Sequence, residues 1–225
     1  MHTLTTSFHN NPHIGLYMFV TNEYCLLGYN IKRRLKEQIE DVLKVPVYHQ
    51  LIYGTPFAGI FCAGNSKKLL LPHIVYDDEL KQIERLNIDY EIIKTRLTAL
   101  GNNILCNNNG CMVNPDFEED AKGKISKALG IKVHTGRIAD LKTVGSLAVM
   151  NSAYCICHTN TTEKEIKRIK EIFKVECETG TVNMANPYLR SGVACNDHGV
   201  IIGDHSGGPE VVHIEQSLGY LEKQT

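Results

Sequence analysis

The sequence predicts an α/β fold, a closed ring of five αβ repeats about a pseudo-fivefold axis, on three observations. Asparagines recur at Asn22, Asn65, Asn108, Asn151 and Asn196, spaced by 43, 43, 43 and 45 residues. Ahead of each stands a glycine (Gly15, Gly59, Gly101, Gly145, Gly192), and four and five places after each comes an apolar pair, from Leu26-Leu27 to Val200-Ile201. The last unit lacks a third strand, whereas a strand-like stretch, 3–8, precedes the first with no unit of its own. Fixed-period self-similarity marks repeat architecture. Lending the N-terminal stretch to the last unit closes the array and removes its open edge. The expectation is one domain over 1–225, with repeats starting near 15, 59, 101, 145 and 192 and the strand 3–8 closing the ring.

Each unit reads strand, turn, strand, helix, strand. In the first, 14–20 is a strand, Thr21-Asn22-Glu23 a turn and 24–27 a second strand. Ile31, Leu35, Ile39, Val42 and Leu43 then fall on one helical face, and 45–52 is a third strand whose Pro46 suits a strand start. The second unit repeats this as 59–63, 68–71, a helix with Leu80, Ile83 and Leu86 inward, and 88–94; Asp77 and Asp78 favour the positive end of that helix. In the third, Pro115-Asp116 starts a helix carrying Phe117, Ala121, Ile125 and Leu129, and Gly130 stops it. The fourth has a capping box, Thr162 to Glu165, before Ile166, Ile169 and Phe173. The fifth supplies strands within 195–202 and a helix over 209–218, leaving only 220–225.

Composition narrows the class. Hydrophobic residues make up 43% and charged residues 22% of the 225, and no apolar run approaches the roughly 18 residues of a membrane span. Lys plus Arg (24) nearly balance Asp plus Glu (25), so the molecule as a whole is not a polyanion binder and any nucleic-acid contact is local. The N-terminus shows no basic-then-apolar leader, which makes reduced thiols in a cytoplasm the expectation for the eight cysteines.

Several motifs invite chemistry and read better as structure. GDHSGGP at 203–209 is close to a serine-protease nucleophile string with His205 inserted, but no companion histidine motif exists and it reads as the turn into the fifth helix. The cysteines include no C-x-x-C, and they fall where sister units carry small apolar residues, so they read as core. The histidines show no H-E-x-x-H spacing and no phosphate loop is present; neither metal nor cofactor is expected. The repeated asparagines read as turn formers.

The chain resembles the archaeal and eukaryotic translation initiation factor 6 family. The likeness is carried by SFHNNPHIG and TNEYCL within 7–26, AGNSKKLLLP at 63–72, RLTALGN at 96–102, VGSLAV at 144–149, GTVN and SGVACND within 180–197, and GGPEVVHIEQSLG at 207–219. It implies a pentein ring, also described as a β/α-propeller. The implied role is binding of the large ribosomal subunit so as to block premature joining of the small one, with a part in large-subunit maturation. The implied site lies near the sarcin–ricin loop and is formed mainly with ribosomal proteins, with room for a local rRNA contact. The chain departs from the family at 153–158, where AYCICH replaces a glycine-rich run, and it ends at Thr225 without the extended tail of eukaryotic members, which suggests an archaeal-type protein acting as a monomer.

Two other functional classes compete. The same ring fold hosts guanidine-modifying hydrolases and amidinotransferases, for which Cys195, His134, His158 and Asp197 are the candidate residues; the repeat spacing leaves no room for the insertions that wall their substrate pockets. A scaffold for a non-ribosomal partner is the third class. The expected ribosome-binding residues follow the repeated glycines: Ile60, Asn102 and Ser146, with Val193 in the corresponding place of the fifth unit. Asn102 leads them because it lies in RLTALGN and an exposed amide offers donors and an acceptor to a partner.

Overall fold

The computed structural model describes residues 2–221. Of the stretch 220–225 left after the fifth helix, 222–225 lie outside the described residues. Within them, five three-stranded sheets follow one plan. In the first unit β2 (Met18–Val20) and β3 (Cys25–Leu27) form an antiparallel hairpin, the first helix (Arg33–Leu43) crosses over, and β4 (Val47–His49) lies parallel to β3. A tight turn can only return the chain antiparallel, whereas a helical crossover brings it back parallel. The second unit has β5 (Ala63–Gly64), β6 (Leu69–Pro72), the helix Asp77–Arg85 and β7 (Tyr90–Ile93). The third has β8 (Ile104–Cys106), β9 (Cys111–Val113), the helix Glu119–Leu129 and β10 (Val133–Thr135). The fourth has β11 (Ala148–Met150), β12 (Tyr154–His158), the helix Glu163–Phe173 and β13 (Glu176–Gly180). In the fifth, β14 (Val193–Cys195) and β15 (Val200–Gly203) precede the helix Gly208–Ser217, and β1 (Thr3–Thr6) pairs with β15 in parallel, from Thr3 opposite Val200 to Thr6 opposite Gly203. The strand is shorter than the 3–8 stretch: Phe8 leaves it to bridge Asn11.

The middle strands are buried on both faces, which is why they read as unbroken apolar runs (CLL, LLLP, CMV, VIIG) rather than alternating ones. Cys25 and Leu27 point to a core built on the first helix through Ile39, Val42 and Leu43 and shared with Ala194 and Ile201 of the fifth unit. Leu26, between them, points the other way, into a core shared with Leu69, Leu71 and Ile83 of the second unit. Each helix thus fills the wedge between its own sheet and the sheet of the preceding unit, and the pattern repeats around the ring.

The start of each unit differs from the sequence reading. Ile14–Leu16, Ala58–Phe61, Leu100–Asn103, Val144–Ser146 and Leu189–Gly192 are short helical turns, not strand. They meet around the axis with their backbones in contact. A Cβ on Gly15 would stand 1.9 Å from the Arg190 carbonyl oxygen, one on Gly59 1.9 Å from Gly15 O, and one on Gly101 or Gly145 2.1 Å from the oxygen of the preceding glycine. Only glycine permits that approach. In the fifth unit the turn starts at Leu189, so the place equivalent to Gly15 belongs to Arg190 and not to Gly192. The third helix also starts later than Pro115, at Glu119, with Phe117 in the turn before it.

Candidate functional site

The five inner strands run together along the axis, so the ring has two distinct ends. At one end lie the hairpin turns. Each opens on Thr21, Asn65, Asn107, Asn151 or Asn196; Asn22 and Asn108 of the sequence pattern are one place further on. Asn196 shows what the position does. Its Oδ1 accepts from the N–H groups of His198 (3.0 Å) and Gly199 (3.2 Å), and its Nδ2 donates to the carbonyl of Leu43 (2.8 Å) at the end of the first helix. Asn65, Asn107 and Asn151 likewise donate to Leu129 O, Phe173 O and Leu218 O. Terminal helix carbonyls lack an intrahelical partner, so one amide closes a turn and caps the next unit's helix. The next residues, Asn22, Ser66, Asn108, Ser152 and Asp197, rim the axial mouth above a cavity of about 60 Å³.

At the other end are the junctions that carry the chain from unit to unit. Tight turns there hold non-glycine residues in the left-handed region: Tyr53 (φ 55°), Ala139 and Asp140 (51° and 57°), Met184 and Ala185 (64° and 66°). Successive N–H groups in such turns form an anion-binding nest, and a glutamate from the start of the following helix fills it. Glu79 accepts from Tyr53 N (2.8 Å) and Gly54 N (2.7 Å); Glu210 accepts from Met184 N (3.1 Å) and Ala185 N (2.9 Å); Glu165 accepts from Asp140 N (3.2 Å). Burial alone would raise the Glu210 carboxyl, but the hydrogen bonds from Thr181, Ala185, Met184 and Gly207 outweigh it and leave the group below the usual carboxylate range. Rigid turns therefore present their side chains outward. Tyr53, Tyr76, Leu141, Met184 and Tyr188 are exposed at this end, Met184 by 78%, and the Tyr53 and Tyr76 rings stand 5.2 Å apart.

The predicted site residues lie on the same end, nearer the axis. Ile60, Asn102 and Ser146 are all half-buried and occupy equivalent places in the helical turns. Their counterpart in the fifth unit is Ser191; Val193 is 2% exposed in β14 and is withdrawn from the set because its turn begins two residues earlier. Ser146 Oγ donates to Thr143 O (2.8 Å) and Ser191 Oγ to Tyr188 O (2.8 Å), so both hydroxyls are committed to their turns. Neighbouring Asn103 is buried, donates to Ala99 O (2.9 Å) and accepts from Asn114 (2.7 Å). The Asn102 carboxamide has no hydrogen-bond partner among the described residues. Sequence reasoning missed the tyrosines and Met184, although a bulky apolar residue inside a turn, as in Tyr53-Gly54 or Asn183-Met184-Ala185, was a legible signal.

The residues of the enzymatic reading do not assemble. Burial pushes the Cys195 thiol up to about 12, beyond a nucleophile's range at neutral pH. Asp197 sits on the rim with its carboxylate accepting from Asn22 Nδ2 (2.6 Å), Ser152 N (2.7 Å) and Ser152 Oγ (2.7 Å). His158 accepts from Asn160 N (3.0 Å) at the end of β12, and His134 lies on β10 in another unit. Ser206 in the GDHSGGP string accepts from Asn183 N at 2.9 Å as part of the turn into the fifth helix. The cysteines are free, and all but Cys106 are buried.

The eIF-6 family model matches residues 3–217. Translation initiation factor 6 of Thermococcus onnurineus (strain NA1) is 34% identical over 228 residues, covering 99% of this chain and 100% of its own length. Translation initiation factor 6 of Sulfolobus acidocaldarius is 34% identical over 215 residues, covering 94% and 96%. These relatives are named as translation factors, not as enzymes. Among solved structures, SxtG, an amidinotransferase from Microseira wollei, overlaps 88% of this chain and 69% of its own at 12% identity and a TM-score of 0.49, too loose a match to bear on function.

Proposed function

The chain belongs to the eIF-6 family, with the role of a translation initiation factor, and from that membership we propose that it binds the large ribosomal subunit and sterically keeps the small subunit off. The junction end of the ring is the docking face, with Asn102, Ile60 and Ser146 near its centre and the exposed tyrosines and Met184 around them. The observation that carries this reading is the unpartnered Asn102 carboxamide on the end of the ring that also exposes Tyr53, Tyr76, Tyr188 and Met184. Such aromatic and methionine side chains are enriched at protein interfaces, and a rigid backbone loses little freedom on binding. A net charge of −1 favours ribosomal proteins near the sarcin–ricin loop over a grip on rRNA phosphates. The factor acts as a cytoplasmic monomer, needs no nucleotide or metal of its own, and serves large-subunit maturation through the same contact.

Sedimentation of cell extract through a gradient tests the proposal. The protein should travel with free large subunits and be missing from joined ribosomes, and adding it to purified subunits should reduce joining in proportion to its amount. Equal presence on joined ribosomes would refute the steric reading.

A further inference from the structure

The fifth unit departs from its sisters at one place on the axis. Where the other four carry Gly15, Gly59, Gly101 and Gly145, it carries Arg190. Carbonyl oxygens about 2 Å from the would-be Cβ positions keep the four glycines bare. A single guanidinium thus reaches the axis, where it lines an inner cavity of about 70 Å³. This cavity shares Val20, Gly64, Cys106, Met150 and Cys195 with the outer one, so the two adjoin beneath the rim at Asn22, Ser66, Asn108, Ser152 and Asp197.

The surroundings of Arg190 leave its charge unbalanced. Among the described residues its one side-chain hydrogen bond is from Nη2 to Gly59 O, a long 3.5 Å, although a guanidinium has five N–H donors. The charge-capable side chains that reach it are the thiols of Cys62, Cys106 and Cys195, and no carboxylate forms an ion pair with it among the described residues. Burial holds the Cys62 and Cys195 thiols protonated, so they bring no negative charge; the Cys106 thiol is drawn down, chiefly by its hydrogen bond with Cys111, but it donates to Gly64 O and makes no hydrogen bond to Arg190. The acid lining the outer cavity, Asp197, stands on the rim and has three donors on its oxygens. Arg190 is half-buried, arginine stays charged throughout the physiological range, and a charge turned away from bulk water toward a cavity favours an occupant of opposite sign.

We propose that the axial cavity is a binding site for a small monovalent inorganic anion of halide size, held by the Arg190 guanidinium and admitted through the hairpin-end rim. The volume decides the class. One water needs about 10–15 Å³ of such space, so each cavity takes roughly four to seven water-sized occupants, room for a chloride with its waters, while nucleotides and metabolites occupy pockets of about 300 Å³ or more.

Crystals grown or soaked in sodium bromide test this directly. An anomalous peak on the axis within contact distance of the Arg190 guanidinium is the expected result; bromide at surface lysines only, with water against Arg190, overturns the proposal. In solution, melting is compared in sodium chloride and in sodium gluconate at equal ionic strength, gluconate being too large to enter. Chloride at ten times its dissociation constant should raise the folded-to-unfolded ratio about elevenfold. Arg190→Gly, which installs the residue of the sister units, should remove that difference, and Arg190→Met is the alternative if the glycine variant folds poorly. A wild-type melt indifferent to the choice of anion, or a variant that keeps the chloride effect, refutes the site.

Discussion

Asn196 shows how much a single amide does in this molecule. It is 3% exposed and serves two turn N–H groups, Thr21 O and the end of the first helix at once. Asn196→Ala should cost about 2–4 kcal/mol, because each buried group left unsatisfied costs about 1–3. Asn22→Ala, on the rim in the first unit's turn, should cost under about 1 kcal/mol, and thermal melts of the two variants would show whether the order holds. Asn102 is the opposite case, an amide with nothing to lose inside the chain. Asn102→Ser should leave melting unchanged and weaken large-subunit binding by about 1–3 kcal/mol; binding that falls only in step with stability would return Asn102 to its turn. The sequence showed that asparagines punctuate the units but placed two of them one residue late. In NNN at 107–109, and with Thr21 standing in for asparagine beside Asn22, residue type alone cannot select the side chain that turns inward. For Asn107 that choice is made by the Phe173 carbonyl of the neighbouring unit, 66 residues away along the chain, whereas the Thr21 hydroxyl bonds Tyr24 O in its own turn.

At the scale of elements, the helices were legible and the unit starts were not. Ile39, Val42 and Leu43, or Ile166, Ile169 and Phe173, declare a helical face because each helix fills one wedge. The segments at Gly15, Gly59, Gly101 and Gly145 look like strand from their apolar flanks; close packing of backbones on the axis bends them into helical turns, a constraint no local pattern displays. The junction turns depend on carboxylates in the same non-local way. Glu210 has a lowered pKa in the folded state, so its contribution is fully present above the unfolded value of about 4.3 and is lost as pH falls through the folded value. Glu210→Gln should therefore lower the melting temperature at neutral pH, and the gap from wild type should narrow near pH 3. A gap of constant size would mean that the carboxylate charge is not what holds the turn at Met184 and Ala185.

The molecule as a whole stands or falls on the contact between β1 and β15. Removing residues 1–9 takes away the β1 partner of that strand and the 1%-exposed Phe8 together. The loss should reach at least about 3 kcal/mol, the usual cost of deleting one buried phenylalanine, and an unchanged melt would show that the ring does not need its N-terminal strand. The same contact has a consequence for how the chain could be rewired. His2 O accepts from Val200 N at 2.8 Å, and the His2 ring stacks on Tyr220 with centroids 6.5 Å apart, so the first and last described turns of chain are neighbours. The break in the covalent path falls between a helix and its third strand, a step the other four units make through a short link such as the one at Gly130. The break is thus movable. A circular permutant with its ends joined by a short flexible linker and reopened between Gly130 and Ile131 should fold to the same ring, melt close to the parent and bind the same partner, since it exchanges one such step for another.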